Sequence, residues 1–155
     1  MPQPRMEYMD MSFTKKALPA DIFKDKSIYP FQLDIELRYQ DLDTLGHVNN
    51  VAMAGLFEEA RMRFSSHFID AERLIKGQTV LGEVQLFYLA EIFYGKPVRF
   101  FLGNGYIGRA SWRVHACAFQ NDTCVFLADS SLIYKYERGV IPIPDDIRKI
   151  LLETK

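Results

Sequence analysis

Apolar and polar positions alternate from residue 31 to residue 40. Phe31, Leu33, Ile35, Leu37 and Tyr39 are separated by Gln32, Asp34, Glu36, Arg38 and Gln40. A period of two predicts a strand with one buried face. Residues 41–50 break the pattern, being polar and containing Gly46, and read as a loop. At its end Asn49 or Asn50 can cap a helix, because a short side-chain oxygen accepts an otherwise orphaned N–H. The helix is expected over residues 51–67. Its first two turns are apolar all round, Ala52, Ala54 and Gly55 are small, and Glu58, Glu59, Arg61 and Arg63 lie only in the second half. A helix of that kind is expected to be wrapped by other structure.

Four strand-like segments follow. The first covers residues 79–89, and the second begins at 98–102 behind Gly95-Lys96-Pro97. Residues 111–119 and 124–136 pair naturally as a hairpin around 120–123. Pro142 and Pro144 break the last strand, and residues 145–152 read as a short terminal helix. Helix and strands are segregated along the chain, which predicts an α+β domain over residues 31–155. An antiparallel sheet of about five strands around one long buried helix satisfies every pattern. Residues 1–30 carry Pro2, Pro4, Pro19 and a basic cluster of Lys15, Lys16, Lys24 and Lys26. They read as an N-terminal extension, either partly disordered or packed loosely or against a partner subunit, with one helical turn within 21–26.

Composition narrows the classes. The 155 residues hold 19 Lys+Arg against 20 Asp+Glu, a net charge of −1, with 48% hydrophobic and 14% aromatic residues. One domain with its own core follows. Near-neutral charge and the lack of any run of five like charges argue against nucleic acid as a partner. The longest apolar run, residues 51–57, falls far short of the roughly 18 residues of a membrane span. Residues 1–31 contain no apolar secretion segment, so the expected compartment is the cytosol. In that compartment Cys117 and Cys124 are expected to be free thiols.

Two motifs are decoys. Gly103-Asn104-Gly105-Tyr106-Ile107-Gly108 matches a dinucleotide fingerprint, but a strand pattern follows it where a phosphate site needs a helix N-terminus. A tight or bulged hairpin is expected instead, with glycine supplying positive φ. Asp41, Asp43 and His47 share one loop without the further Cys or His that would close a metal shell, so no metal is expected and turn chemistry is the plainer reading. His67 and His115 have no chemistry-bearing neighbours in sequence and are read as structural.

The chemistry concentrates in residues 38–50, Arg38-Tyr39-Gln40-Asp41-Leu42-Asp43-Thr44-Leu45-Gly46-His47-Val48-Asn49-Asn50, which end where the helix begins. A helix N-terminus carries about half a positive charge and free N–H donors, which suit a polarised carbonyl. A carboxylate shielded by Leu42, Leu45 and Val48 would be a stronger base than one in water. His47 could orient it or share its proton.

Residues 38–61, RYQDLDTLGHVNNVAMAGLFEEAR, resemble the opening signature of the 4-hydroxybenzoyl-CoA thioesterase family, and the likeness continues through residues 88–97, YLAEIFYGKP. The resemblance implies the hotdog fold and hydrolysis of an acyl thioester carried on coenzyme A or acyl carrier protein. Coenzyme A is then part of the substrate, and no separate cofactor is implied. Asp43 matches the family's catalytic aspartate, as general base or nucleophile. His47 and Glu91 match a histidine and an acid of plant acyl-carrier-protein thioesterases, which are similar around this motif. Asn49, Asn50 and the backbone N–H groups from Gly46 to Val51 would bind the carbonyl oxygen, and Met53 and Tyr88 would line the acyl pocket. Met53 stands where the family often carries tyrosine, and Leu45 where the plant enzymes carry asparagine.

The resemblance also implies a homodimer or homotetramer, with Asp43 and Glu91 meeting across or near a subunit interface. Another hotdog branch uses a helix glutamate, but Glu58 and Glu59 are expected to pair with Arg61, Arg63 or a partner chain. Lys96, Arg99, Arg109 and Arg113 are candidates for the phosphates of coenzyme A. Two alternatives remain open on sequence: a dehydratase or hydratase acting on 3-hydroxyacyl thioesters, and a non-catalytic acyl-CoA-binding module.

Overall fold

The structure is a computed structural model, described here for residues 21–70 and 79–155. Strand β1 (Phe31–Ile35) leads through a short 3-10 turn (Tyr39–Asp41) to helix α1 (Asn50–Phe68). Strands β2 (Thr79–Tyr88), β3 (Val98–Ile107), β4 (Ser111–Gln120), β5 (Thr123–Tyr136) and the two-residue β6 (Gly139–Val140) follow, and α2 (Asp145–Glu153) closes the chain. The sheet order is β1-β3-β4-β5-β2 with β6 added beside β5, and every pairing is antiparallel. This is the expected α+β hotdog arrangement, with one strand more than the sequence indicated.

Alternation along the strands builds the core. Val98, Phe100 and Leu102 of β3, Val114, Ala116 and Ala118 of β4, and Phe126 and Ala128 of β5 join Met53, Leu56, Phe57, Ala60 and Phe64 of α1 in one buried cluster. The helix therefore lies across one face of the sheet. Phe126 is a hub there, its ring 6.0 Å from Phe57, 6.4 Å from Phe100 and 5.5 Å from Tyr88. The odd-numbered residues Phe101, Cys117, Phe119 and Leu127 form a second cluster on the opposite face, under Phe23. No helix among the described residues is long and apolar enough to cross a membrane.

Several expectations need correction. The α1 helix is not wrapped all round within one chain: Val51 is 79% exposed and Gly55 is also exposed. The alternation from Phe31 persists to buried Leu37 but fails at Tyr39, which is 78% exposed because the 3-10 turn ends the period of two. Part of the N-terminal extension belongs to the fold. Asp21–Lys24 and Lys26–Ile28 form 3-10 turns, Phe23 is buried on the sheet, and Tyr29 donates its hydroxyl to the Phe23 carbonyl at 2.7 Å. The remainder of the extension, residues 1–20, lies outside the described residues.

The glycine pattern of residues 103–108 sits in and just after β3, where the register against β4 shifts between Asn104 and Ile107. Its glycines do not supply positive φ, which among the described glycines belongs to Gly46 and Gly95. Gly105 serves close approach instead: a Cβ there would stand 2.1 Å from His115 Nε2. Positive φ in the β4–β5 hairpin falls to Asn121 (φ 55°), the first residue of a two-residue turn that pairs Gln120 with Thr123.

Candidate active site

The loop between β1 and α1 is fixed by its own acids. Asp41 is buried and accepts the Arg38 N–H at 2.8 Å and the Arg38 guanidinium at 2.9 Å. Burial works against its charge, but those bonds from Arg38 outweigh it and hold the carboxyl below the usual range. The Asp41 carbonyl in turn accepts the Asn49 N–H at 2.8 Å, tying the turn to the helix start. Asp41 is therefore a structural post.

Asp43 closes the next turn. Its N–H donates to the His47 carbonyl at 2.8 Å, and its Oδ1 accepts the N–H groups of Leu45 at 2.8 Å and His47 at 3.3 Å. Gly46 supplies the left-handed residue (φ 81°) that lets the chain reverse. The loop is then zipped to the segment after β2: Val48 N–H donates to the Ile92 carbonyl at 2.8 Å, and His47 forms a β-bridge with Phe93. That pairing brings Glu91 Oε1 to 3.5 Å from His47 Nδ1, while the Phe93 ring meets the His47 ring edge-on at 5.1 Å.

Helix α1 starts as the sequence suggests. Asn49 is its cap, accepting Val51 N–H on its side chain at 2.8 Å. Across the opening Tyr88 Oη donates to the Asn50 carbonyl at 2.9 Å. Asp43, His47, Asn50, Met53, Tyr88 and Glu91 all line one cavity of about 320 Å³. The three candidate catalytic residues thus line one cavity within a single chain.

Hydrogen-bond accounting narrows the carbonyl-binding groups. From Gly46 to Val51 the N–H groups of Gly46, His47, Val48, Asn49 and Val51 donate to Asp43 O, Asp43 Oδ1, Ile92 O, Asp41 O and Asn49 Oδ1. Only the Asn50 N–H has no partner among the described residues, as the first helical position requires. Asn50 lines the cavity.

Other sequence-derived assignments change. Leu45 is 76% exposed and shields nothing, so Val48 and Ile92 supply the buried wall. Gly46, Asn49 and Val51 act through the backbone and the cap and do not line the cavity. The helix glutamates do pair as expected, Glu59 with Arg63 at 2.6 Å and Glu58 with Arg61 at 3.9 Å. Among the phosphate candidates, Arg99 is held by Asp34 at 2.6 and 2.8 Å and Arg113 by buried Asp129, so both are already neutralised. Lys96 borders a separate cavity of about 280 Å³ with Lys26 and Arg99, and Arg109 is exposed. The sequence reading overlooked Gln120, whose side chain bonds the backbone of the segment carrying Glu91. A lone glutamine beside a turn, 27 residues from its partner, leaves no local signal.

Known proteins bear on this site. An uncharacterized protein of Bacillus subtilis (strain 168), YsmA, is 24% identical over 151 residues, covering 96% of this chain and 97% of that one. A thioesterase from Thermus thermophilus, solved with coenzyme A and zinc, superimposes with a TM-score of 0.75 at 26% identity, covering 81% of this chain and 94% of its own. A predicted thioesterase from Bacillus stearothermophilus matches with a TM-score of 0.74 at 27% identity, covering 80% and 95% of the two chains. The model of the thioesterase-like superfamily matches residues 37–151, which take in the Asp43–His47 loop, α1 and the Glu91 segment and leave out residues 1–36 and 152–155. The chain belongs to the thioesterase-like superfamily.

Proposed function

We propose that the protein hydrolyses acyl-CoA thioesters at the cavity where α1 begins, with Asp43 carrying the chemistry. The supporting observation is that Asp43, His47, Glu91 and Asn50, whose N–H has no partner among the described residues, line one cavity in one chain. The Thermus relative was solved with coenzyme A, which favours that carrier over acyl carrier protein.

In this reading the thioester oxygen accepts the Asn50 N–H, and the α1 dipole stabilises the charge that develops there. Asp43 removes a proton from water as it attacks the carbonyl carbon, or attacks that carbon itself to form an acyl-aspartyl anhydride that water hydrolyses after the thiolate has left. The C–S bond then breaks, and the thiolate leaves and takes up a proton. The two N–H groups on Asp43 Oδ1 hold the carboxylate in place. His47, oriented by Glu91 on Nδ1, is placed to move protons. Met53 and Tyr88 contact the acyl group.

The unit of function is a homodimer. β2 is an edge strand paired only with β5 among the described residues, and Val80, Leu81 and Val84 are exposed along it. Pairing with a second copy would cover that edge. A stable monomer in sedimentation at micromolar concentration would refute this part.

The decisive assay offers the protein acetyl- to palmitoyl-CoA and benzoyl-CoA and follows thiol release. Free acid and coenzyme A are the expected products, and Asp43→Asn should lower kcat at least about a hundredfold while the protein stays folded. Undiminished turnover in Asp43→Asn would overturn the role of Asp43. Binding without turnover, or a double-bond change without thiol release, would overturn hydrolysis.

A further inference from the structure

We propose that Gln120 is a positioning residue of this site, its side-chain amide holding the segment that presses Glu91 and Phe93 against His47. Its catalytic consequence rests on the thioesterase reading; its geometric consequence does not.

Glu91 and Phe93 sit between β2 and β3, in a stretch with no helix or strand of its own. Glu91 is 64% exposed in its side chain, so packing does little to fix it. Ile92 is anchored in the main core and Leu89 and Ala90 donate to the Val125 carbonyl, but Glu91 and Phe93 on either side of Ile92 depend on hydrogen bonds. On one side stand the Val48–Ile92 bond and the His47–Phe93 bridge, both made to the catalytic loop itself. On the other side stands Gln120, the last residue of β4, which is buried.

Gln120 Oε1 accepts the Phe93 N–H at 2.9 Å, while its Nε2 donates to the carbonyls of Phe93 at 2.7 Å and Lys96 at 3.2 Å. The amide thus pairs with the Phe93 peptide as a neighbouring strand would, and its second N–H ties down the following turn. All three bonds need a donor and an acceptor on one planar group, which glutamine has and glutamate lacks at neutral pH. Gln120 belongs to the rigid β4–β5 hairpin, so it references the Glu91 segment to the sheet rather than to the loop. Without it, the sheet would hold the segment only ahead of Glu91, through the Leu89 and Ala90 N–H groups on the Val125 carbonyl and buried Ile92, and Phe93 would be left to the loop it meets.

The test compares Gln120→Met and Gln120→Glu with a control, Thr154→Val. The control removes buried hydrogen bonds to Asn104 and Ile150 at the far end of β3, six residues beyond Val98 and about 20 Å away. Two readouts are taken on protein shown to be folded by near-UV circular dichroism. The first is the NMR shifts of the His47 ring protons, which the edge-on Phe93 ring perturbs. The second is kcat and KM on the best acyl-CoA.

Both Gln120 variants should move the His47 ring shifts and lower kcat about tenfold with KM changed less than about threefold, while Thr154→Val leaves all three near wild type. Unmoved His47 shifts in a folded Gln120 variant would overturn the proposal, as would equal changes in the control. Should the wild-type protein turn over no thioester, the reading of function fails, and the His47 shifts alone still decide the role of Gln120.

Discussion

The Tyr88 hydroxyl donates to the carbonyl of Asn50 at 2.9 Å, joining the last residue of β2 to the first residue of α1 across 38 positions of sequence. Asn50 also carries the N–H that, alone from Gly46 to Val51, has no partner among the described residues. Two side chains therefore hold the peptide that follows this donor, Asn49 through the Val51 N–H and Tyr88 through the Asn50 carbonyl. Burial raises the Tyr88 pKa, which keeps the hydroxyl protonated and able to donate at and above neutral pH.

Tyr88→Phe keeps the ring against Phe126 and removes only this bond. A hydrogen bond at a half-open site contributes about 1 kcal/mol, so the melting temperature should fall by no more than about 4 °C. The larger effect is expected on chemistry, because the donor for the thioester oxygen loses one support: kcat should drop about tenfold. Steady-state kinetics beside a thermal melt measures both. An unchanged kcat would separate Tyr88 from the reaction.

Asn49 is the other support, and its loss should register chiefly as stability. Asn49→Ala exposes the Val51 N–H to no partner and should cost about 1 kcal/mol, whereas Asn49→Asp or Asn49→Ser should restore most of it. Urea titrations of the three variants provide the measurement. Equal stability of Asn49→Ala and wild type would show that the cap contributes nothing.

These two supports also mark where sequence reading stops. The cap was legible because capping is local: a short polar side chain before an apolar run has one physical use. The same holds for the Asn121-Asp122 turn and for the alternation through β1 to Leu37. Tyr39 and Leu45 were misplaced because each obeys a local feature that overrides apolarity. The Arg38–Asp41 bonds wind Tyr39 into a 3-10 turn, and the Asp43 turn carries Leu45 out on its tip. Asp43, His47 and Glu91 could be nominated from a motif, but their meeting in one chain depends on the His47–Phe93 bridge, which spans 46 positions. Gln120 and the Tyr88–Asn50 bond are tertiary from end to end, and no periodicity encodes them.

The thiols give a prediction away from the site. Cys117 is wholly buried on β4 and pairs in register with Leu127, while half-buried Cys124 pairs with Phe119. They are not cross-strand partners. Burial, and next the nearby Cys124, push the Cys117 thiol far up; burial pushes Cys124 up as well, against the Phe126 carbonyl bond and Lys24. Iodoacetamide at pH 8 should therefore alkylate Cys124 first, with Cys117 at least about tenfold slower until the protein is unfolded. Peptide mass spectrometry over a time course reads the order, and equal rates in native protein would contradict the burial of Cys117.

The last prediction concerns acid. Asp129 is fully buried on β5, held by the Arg113 guanidinium (2.8 Å to Nε) and by His115 Nδ1 at 3.1 Å, with Glu83 3.9 Å from Arg113 on the β2 side. Burial alone would raise its pKa, but the hydrogen bonds and charges of His115 and Arg113 prevail and place it below the ordinary value of 3.8. The unfolded chain thus binds a proton here at a pH where the native chain does not. The resulting stability is complete above the unfolded pKa and is lost as pH falls from about 4 through the lower folded value. Asp129→Asn should cost about 3 kcal/mol at pH 7, since it leaves Arg113 without its carboxylate. That gap should shrink as the pH drops towards 3, because wild-type protein loses the same charge. Urea unfolding of both proteins at pH 7, 5 and 3.5 tests the sign, and a gap that stays constant or widens in acid would mean that the Asp129 carboxyl is not held ionised by Arg113 and His115.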